Sequence, residues 1–198
     1  MNKPKHIHSL QKKLIFNIDM PIQKKRLTCL FVGFVTFFNK FKTLLFGEHV
    51  MVNIFDLSDY ILQRQSSDEL EITVTKLNKL LYYSQGTFLA ALGKELFVED
   101  IEAWHYGPVV PSVYHQYKDI NKGMPIQSPS REISLNLSEN ELELLEETLT
   151  YFGQYSASYL TNMTHNEAPW VDAYNKGEGT IIPKPVLQAY FKSEVLKN

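Results

Sequence analysis

Residues 74–92 constrain this chain more than any other stretch. Leu77, Leu80, Leu81, Ser84, Phe88 and Ala91 recur at i, i+3, i+4, i+7, i+11 and i+14, the spacing that lines one face of an α-helix. Thr73 stands where an N-cap belongs, and Gly93 where a left-handed glycine closes a helix. The pattern predicts a helix over 74–92 whose stripe must be covered by other elements, so the chain needs a core built around it.

The remaining periodicity supplies those elements. Asn53 caps a helix with Ile54, Leu57 and Ile61 on one face, ended by the polar stretch 66–71. Leu96-Phe97-Val98 and Ala103-Trp104-His105-Tyr106 are short and aromatic, and read as a small strand pair or extended arms. Pro111 suits the first turn of a helix over 112–120, and residues 121–137, with Gly123, Pro125 and Pro129, read as a surface loop. Ser138 and Glu141 form a capping box before Leu142, Leu145, Leu149 and Phe152, with Gly153 at the end. Ser156 opens a helix that turns Ala157 and Leu160 inward and ends near His165. Pro169-Trp170 open a short one to about Asn175, and Pro183 a last one through Leu196. The expected fold class is mainly α: a compact multi-helix bundle with one short extended or β-hairpin element.

Charge divides the chain. Residues 1–50 hold nine Lys and Arg against Asp19 and Glu48, a balance of +7, whereas residues 51–198 hold eleven against twenty acids, a balance of −9. The first segment reads as translated upstream sequence, with Met51 as the natural start. It holds seven of the twelve Phe but none of the eleven Tyr and neither Trp, as A/T-rich DNA read in frame gives. Gly47-Glu48 is encoded by GGN-GAR, a purine-rich stretch that reads as a ribosome-binding site two codons before Met51. The alternative is a membrane anchor at Leu27–Phe38, behind Lys24-Lys25-Arg26. That run is shorter than the about 20 apolar residues a bilayer takes.

Residues 51–198 offer little chemistry. Cys29 lies in the first segment, so disulfides, thiolate metal sites and cysteine nucleophiles are excluded, which suits a reducing cytoplasm. No phosphate-binding loop or nucleophile elbow occurs, and Gly177-Glu178-Gly179 reads as a turn. The −9 balance and the lack of a helix-turn-helix pattern argue against direct nucleic-acid contact. An enzyme is the alternative reading, metal-dependent through His165 and Glu167, with His105 and Asp172 as further ligands. No i, i+4 pair sets two such ligands on one helix face. The structural reading has His165 ending a helix and sharing a local hydrogen-bond network with Glu167. What remains is the aromatic segment around two prolines, where Tyr106, Pro108, Val109 and Tyr114 are the candidate partner-binding residues and Trp104 is assigned to the core.

Three blocks then carry a resemblance. The first is Ile72-Thr73 followed by Lys76-Leu77-Asn78-Lys79-Leu80-Leu81-Tyr82-Tyr83-Ser84-Gln85-Gly86. The second is Phe97, then Ile101-Glu102-Ala103-Trp104-His105-Tyr106-Gly107-Pro108-Val109-Val110-Pro111, with Val113-Tyr114. The third runs from Leu160 through Thr164-His165-Asn166-Glu167-Ala168-Pro169-Trp170. In order and spacing, residues 51–198 resemble the SocA-like Panacea antitoxin domain family of bacterial and prophage toxin–antitoxin pairs. The resemblance implies a cytoplasmic antitoxin that neutralises a cognate protein toxin by direct binding. It also implies a second role as proteolytic adaptor for a ClpXP-type protease, and no catalytic residue or cofactor. It assigns the motif residues Lys76, Leu77, Lys79, Leu80, Tyr82, Tyr83, Trp104, Gly107, His165, Glu167, Pro169 and Trp170 to scaffold rather than contact surface.

Overall fold

The computed structural model describes residues 51–65, 72–120 and 123–196. The expectations for residues 1–50 and for the polar stretch 66–71 lie outside the described residues. Helix α1 (Ile54–Gln65) opens at Asn53, whose Oδ1 accepts the N–H of Phe55 at 2.9 Å and of Asp56 at 3.3 Å. Helix α2 (Val74–Leu92) opens at Thr73, whose Oγ1 accepts Lys76 N–H. It closes at Gly93, with φ 68° and its N–H on Leu89 O.

The predicted stripe of α2 is buried, and so is the rest of its circumference from Lys76 to Ala91. A helix enclosed on every side is favoured when its polar side chains find partners, because an unpaired buried polar group costs about 1–3 kcal/mol. The hydroxyls of Ser84 and Thr87 have none, whereas the longer polar side chains do. Lys76 Nζ donates to Gly153 O at 2.7 Å. Asn78 Oδ1 accepts Val110 N–H at 2.8 Å, and Lys79 Nζ donates to Pro108 O at 3.1 Å. Gln85 takes both sides of one segment: its Nε2 donates to Phe97 O at 2.9 Å and its Oε1 accepts Leu96 N–H at 2.8 Å. That grip explains why residues 96–98, expected as a member of a small strand pair or as an extended arm, do not pair as a strand. Their main chain is satisfied by a helix side chain instead.

The sheet is built from β1 (Glu102–Trp104), β2 (Gly107–Val109) and β3 (Thr180–Ile181), antiparallel in the order β2-β1-β3. Trp104 pairs with Gly107, and Glu102 with both Val109 and Ile181. The third strand is an addition to the expected hairpin, fed by the turn at Gly177 and Gly179, whose φ values are 142° and 83°.

Helix α3 (Pro111–Tyr117) carries Pro111 in its first turn and ends three residues before the expected boundary. Helix α4 (Glu139–Gly153) begins with the predicted capping box: Ser138 Oγ accepts Glu141 N–H, and Glu141 Oε2 accepts Ser138 N–H. Leu145, Leu149 and Phe152 are buried there, with Leu144 in the core and Leu142 half-buried. Helix α5 (Ala157–Thr164) is capped by Ser156 and buries Leu160, while Ala157 is half-exposed. Helices α6 (Ala168–Tyr174) and α7 (Lys184–Tyr190) follow, and a π-helical turn at Phe191–Val195 replaces the expected straight run to Leu196. The wider turn brings Phe191 against Gly86 of α2 and into an aromatic core with Tyr82 at 5.6 Å. Tyr83 stacks on Phe152 in the same core, ring centroids 3.8 Å apart. Among the described residues, no helix is long and apolar enough to cross a membrane.

Candidate protein-binding face

Strands β1 and β2 meet at His105-Tyr106, and this tip leaves the body of the domain. Tyr106 is 66 % exposed, the most of any large apolar side chain described. Behind it, Tyr114 and the exposed His115 rise from α3. Trp104 meets Tyr114 edge-on, at 4.9 Å between centroids. Exposed Tyr and Trp are the side chains that dominate binding hot spots. Pro108 and Val109 are different. Strand β2 is buried along its whole length, packed on α2 and α5. Of the four candidate contact residues, the structure places Tyr106 and Tyr114 on the face and Pro108 and Val109 beneath it. Trp104, assigned to the core, is half-buried, its Nε1 donating to Glu102 Oε2 at 2.8 Å. It joins core to face.

The tip rests on an aromatic ladder. His105 Nδ1 lies 3.1 Å from Tyr174 OH. Tyr174 stacks on Trp170 at 4.7 Å, and Trp170 on His165 at 4.2 Å, with interplanar angles of 14° and 16°. Trp170 Nε1 donates to Trp104 O at 3.1 Å, and His105 N–H donates to Glu178 Oε1 at 2.9 Å. Pro169, buried in the first turn of α6, sets the direction from which Trp170 enters. Sequence reasoning missed Tyr174, His115 and Glu178. The signal for Tyr174 was its i, i+4 spacing from Trp170.

Below the ladder lies a buried ionisable frame. Glu167 is 3 % exposed, and its two oxygens accept the hydroxyls of Tyr82 at 2.7 Å and Tyr83 at 2.9 Å. Burial pushes its carboxyl up to about 7, against the two hydroxyls that favour the anion. Burial likewise raises both tyrosines well above their ordinary value, and brings the Lys79 amine down to about 7. The His165 ring is held low, by burial first and by the nearby Lys79 amine second, and its Nε2 is buried with no hydrogen-bond partner. The expected network between His165 and Glu167 does not form, because Glu167 turns inward to the tyrosines while His165 stacks on Trp170. The four candidate ligands do not converge either: Asp172 is exposed, and among the described residues no three His, Asp or Glu come together in a geometry that could hold a metal ion. With both oxygens engaged and protein on every side, Glu167 is arranged to hold α6 against α2. An enclosed carboxylate of this kind organises a fold, and the exposed chemistry of the site is aromatic.

The profile described as antitoxin SocA-like, Panacea domain, matches residues 77–171. That span holds most of α2, the hairpin, the ladder down to Trp170, and Glu167. Antitoxin SocA of Caulobacter vibrioides (strain NA1000 / CB15N) is 31 % identical over 140 residues, covering 63 % of this chain and 71 % of the relative. No solved structure matches.

Proposed function

Since the chain belongs to the SocA-like Panacea antitoxin family, we propose that it neutralises a protein toxin by direct binding, through the face formed by Tyr106, His105, Tyr114 and Trp104. The observation that carries this reading is Tyr106, an aromatic side chain two-thirds exposed on a tip whose main chain is fixed from below. Preorganised aromatic anchors bind with a small loss of conformational entropy. The acidic balance of residues 51–198 supports a basic partner.

On this reading Lys76, Lys79, Tyr82, Tyr83, Gly107, Glu167, Pro169 and Trp170 are scaffold, and Pro108 and Val109 support the face from inside. Delivery of the bound toxin to a ClpXP-type protease, in the cytoplasm, is the finer part of the proposal. So is the assignment of residues 51–198 as the antitoxin unit.

The test is co-expression of the chain with the adjacent open reading frame, scored by growth and by co-purification. Growth arrest by the neighbour alone, with rescue and co-purification when this chain is present, is the expected result. Rescue without association, or a harmless neighbour, overturns direct binding.

A further inference from the structure

At the end of β1 remote from the Tyr106 tip, the surface opens into a groove of about 460 Å³ between the C-terminal end of α2 and the start of α7, lined by Leu89, Glu95, Asp100, Ile181, Pro183 and Lys184 among others. One of the exposed large apolar side chains lies in it, and two others stand on residues near Lys184. Ile181, 47 % exposed, lines the groove. Val98, 54 % exposed, accepts Lys184 Nζ at its carbonyl, and Val186, 42 % exposed, follows Lys184 by two residues on α7.

The main chain beside this patch is open as well. The sheet order leaves the outer side of β3 without a strand partner. Ile182 N–H donates to Ile101 O at 2.8 Å, so antiparallel alternation turns the N–H and C=O of Ile181 away from β1, toward the open side. An unpaired edge next to apolar side chains is the arrangement that accepts an added strand.

Charge selects the occupant. Lys184 is committed to Glu95 Oε2 at 2.6 Å and to Val98 O at 2.8 Å. Glu99 and Asp100 have no basic partner among the described ion pairs, and Glu99 Oε2 is buried without a hydrogen-bond partner. Of the charged groups that line the groove, Glu95 and Asp100 stand against Lys184, a balance of −1 that leaves Asp100 as its unpaired charge.

We propose that this groove receives an extended basic segment of a partner protein, added as a strand on the free edge of β3. Its backbone pairs with Ile181. An apolar side chain of the segment rests on Ile181, and its Lys or Arg side chain meets Asp100. The inference does not rest on the antitoxin reading, since the groove and the Tyr106 tip lie at opposite ends of β1.

The test is selection of a random-peptide phage library on the full chain, followed by fluorescence anisotropy of the enriched peptides. Enrichment of positively charged peptides with alternating β-branched residues is expected. Their affinity should fall at least about tenfold with Ile181→Lys and with Asp100→Lys, the usual scale for losing an apolar anchor or a charge partner. Both positions are solvent-facing, and circular dichroism of each variant checks that the fold is intact. No enrichment overturns the proposal. So does enrichment of acidic, helical or proline-rich peptides, or peptide binding that is lost with Tyr106→Ala and kept with Ile181→Lys. Self-association of the chain that disappears with Ile181→Lys assigns the groove to a second copy, and overturns it too.

Discussion

Gly107 lies directly against the buried end of Lys79. A Cβ built on Gly107 would stand 2.6 Å from Lys79 Cε, 2.7 Å from its Nζ and 2.8 Å from Thr164 Oγ1, at a backbone φ of 96°. Lys79 is fully buried and hydrogen-bonded to Pro108 O, so its amine cannot swing clear. Gly107→Ala is expected to cost about 2–4 kcal/mol through strain and collision together. Urea unfolding checks it. A loss under about 0.5 kcal/mol, the ordinary range for a surface substitution, would show that the hairpin has room to shift.

Gly86 makes the same kind of contact inside α2. A Cβ there would lie 2.5 Å from Phe191 Cε1. Alanine gains roughly 1 kcal/mol over glycine in a helix interior, yet overpacking of a core costs about 1–3 kcal/mol, so Gly86→Ala should be net destabilising. Phe191→Leu in the same chain should recover part of the loss. A double-mutant cycle measures the coupling, and simple additivity would contradict the contact.

The buried frame makes stability depend on pH in two opposite directions. Glu167 is raised to about 7 in the folded protein, so the native state binds the proton more tightly than the unfolded one. Its contribution is complete at acid pH and is lost as pH rises toward 7. Lys79 is lowered to about 7, so its contribution is complete above its unfolded value and is lost as pH falls toward 7. The two together place a minimum near neutrality, each limb sloping by at most about 1.4 kcal/mol per pH unit. Urea unfolding across pH 4.5–10 should show that Glu167→Gln flattens the acid limb and Lys79→Met the alkaline one.

Tyr106→Ala and Trp104→Ala should separate binding from folding. Tyr106 is exposed, so its removal should change stability by less than about 0.5 kcal/mol and weaken toxin binding about tenfold or more. Trp104 is half-buried, so its loss should cost about 1–3 kcal/mol, below the 3–5 kcal/mol of a fully enclosed Trp, and should weaken binding as well. Thermal melts with co-purification tell the two apart. A large melting shift for Tyr106→Ala would remove it from the contact surface.

Much of this fold is written in local signals. Asn53, Thr73, Ser138 and Ser156 cap the helices they were expected to cap, because a cap depends on the three or four residues that follow it. The stripe of α2 is likewise a local repeat. What could not be read is what α2 does with its polar residues: Asn78, Lys79 and Gln85 look solvent-facing in the sequence, and only the tertiary arrangement supplies Val110, Pro108 and Phe97 as partners. The same limit hid the third strand, since two residues carry no periodicity. It also hid the burial of Pro108 and Val109, which depends on what packs against β2. Tyr106 and Tyr114 were legible as surface candidates because a turn marked by Gly107-Pro108 projects the first and a short helix carries the second.

Four of the side chains that hold the hairpin do so through main-chain atoms. Lys79 takes the carbonyl of Pro108, Asn78 the amide of Val110, Trp170 the carbonyl of Trp104, and Glu178 the amide of His105. Such a clasp is blind to what the hairpin displays. The outward residues at positions 105, 106, 114 and 115 can change in size, polarity or charge without disturbing any of these four bonds. The interior fixes where the display stands, and its lettering is left free.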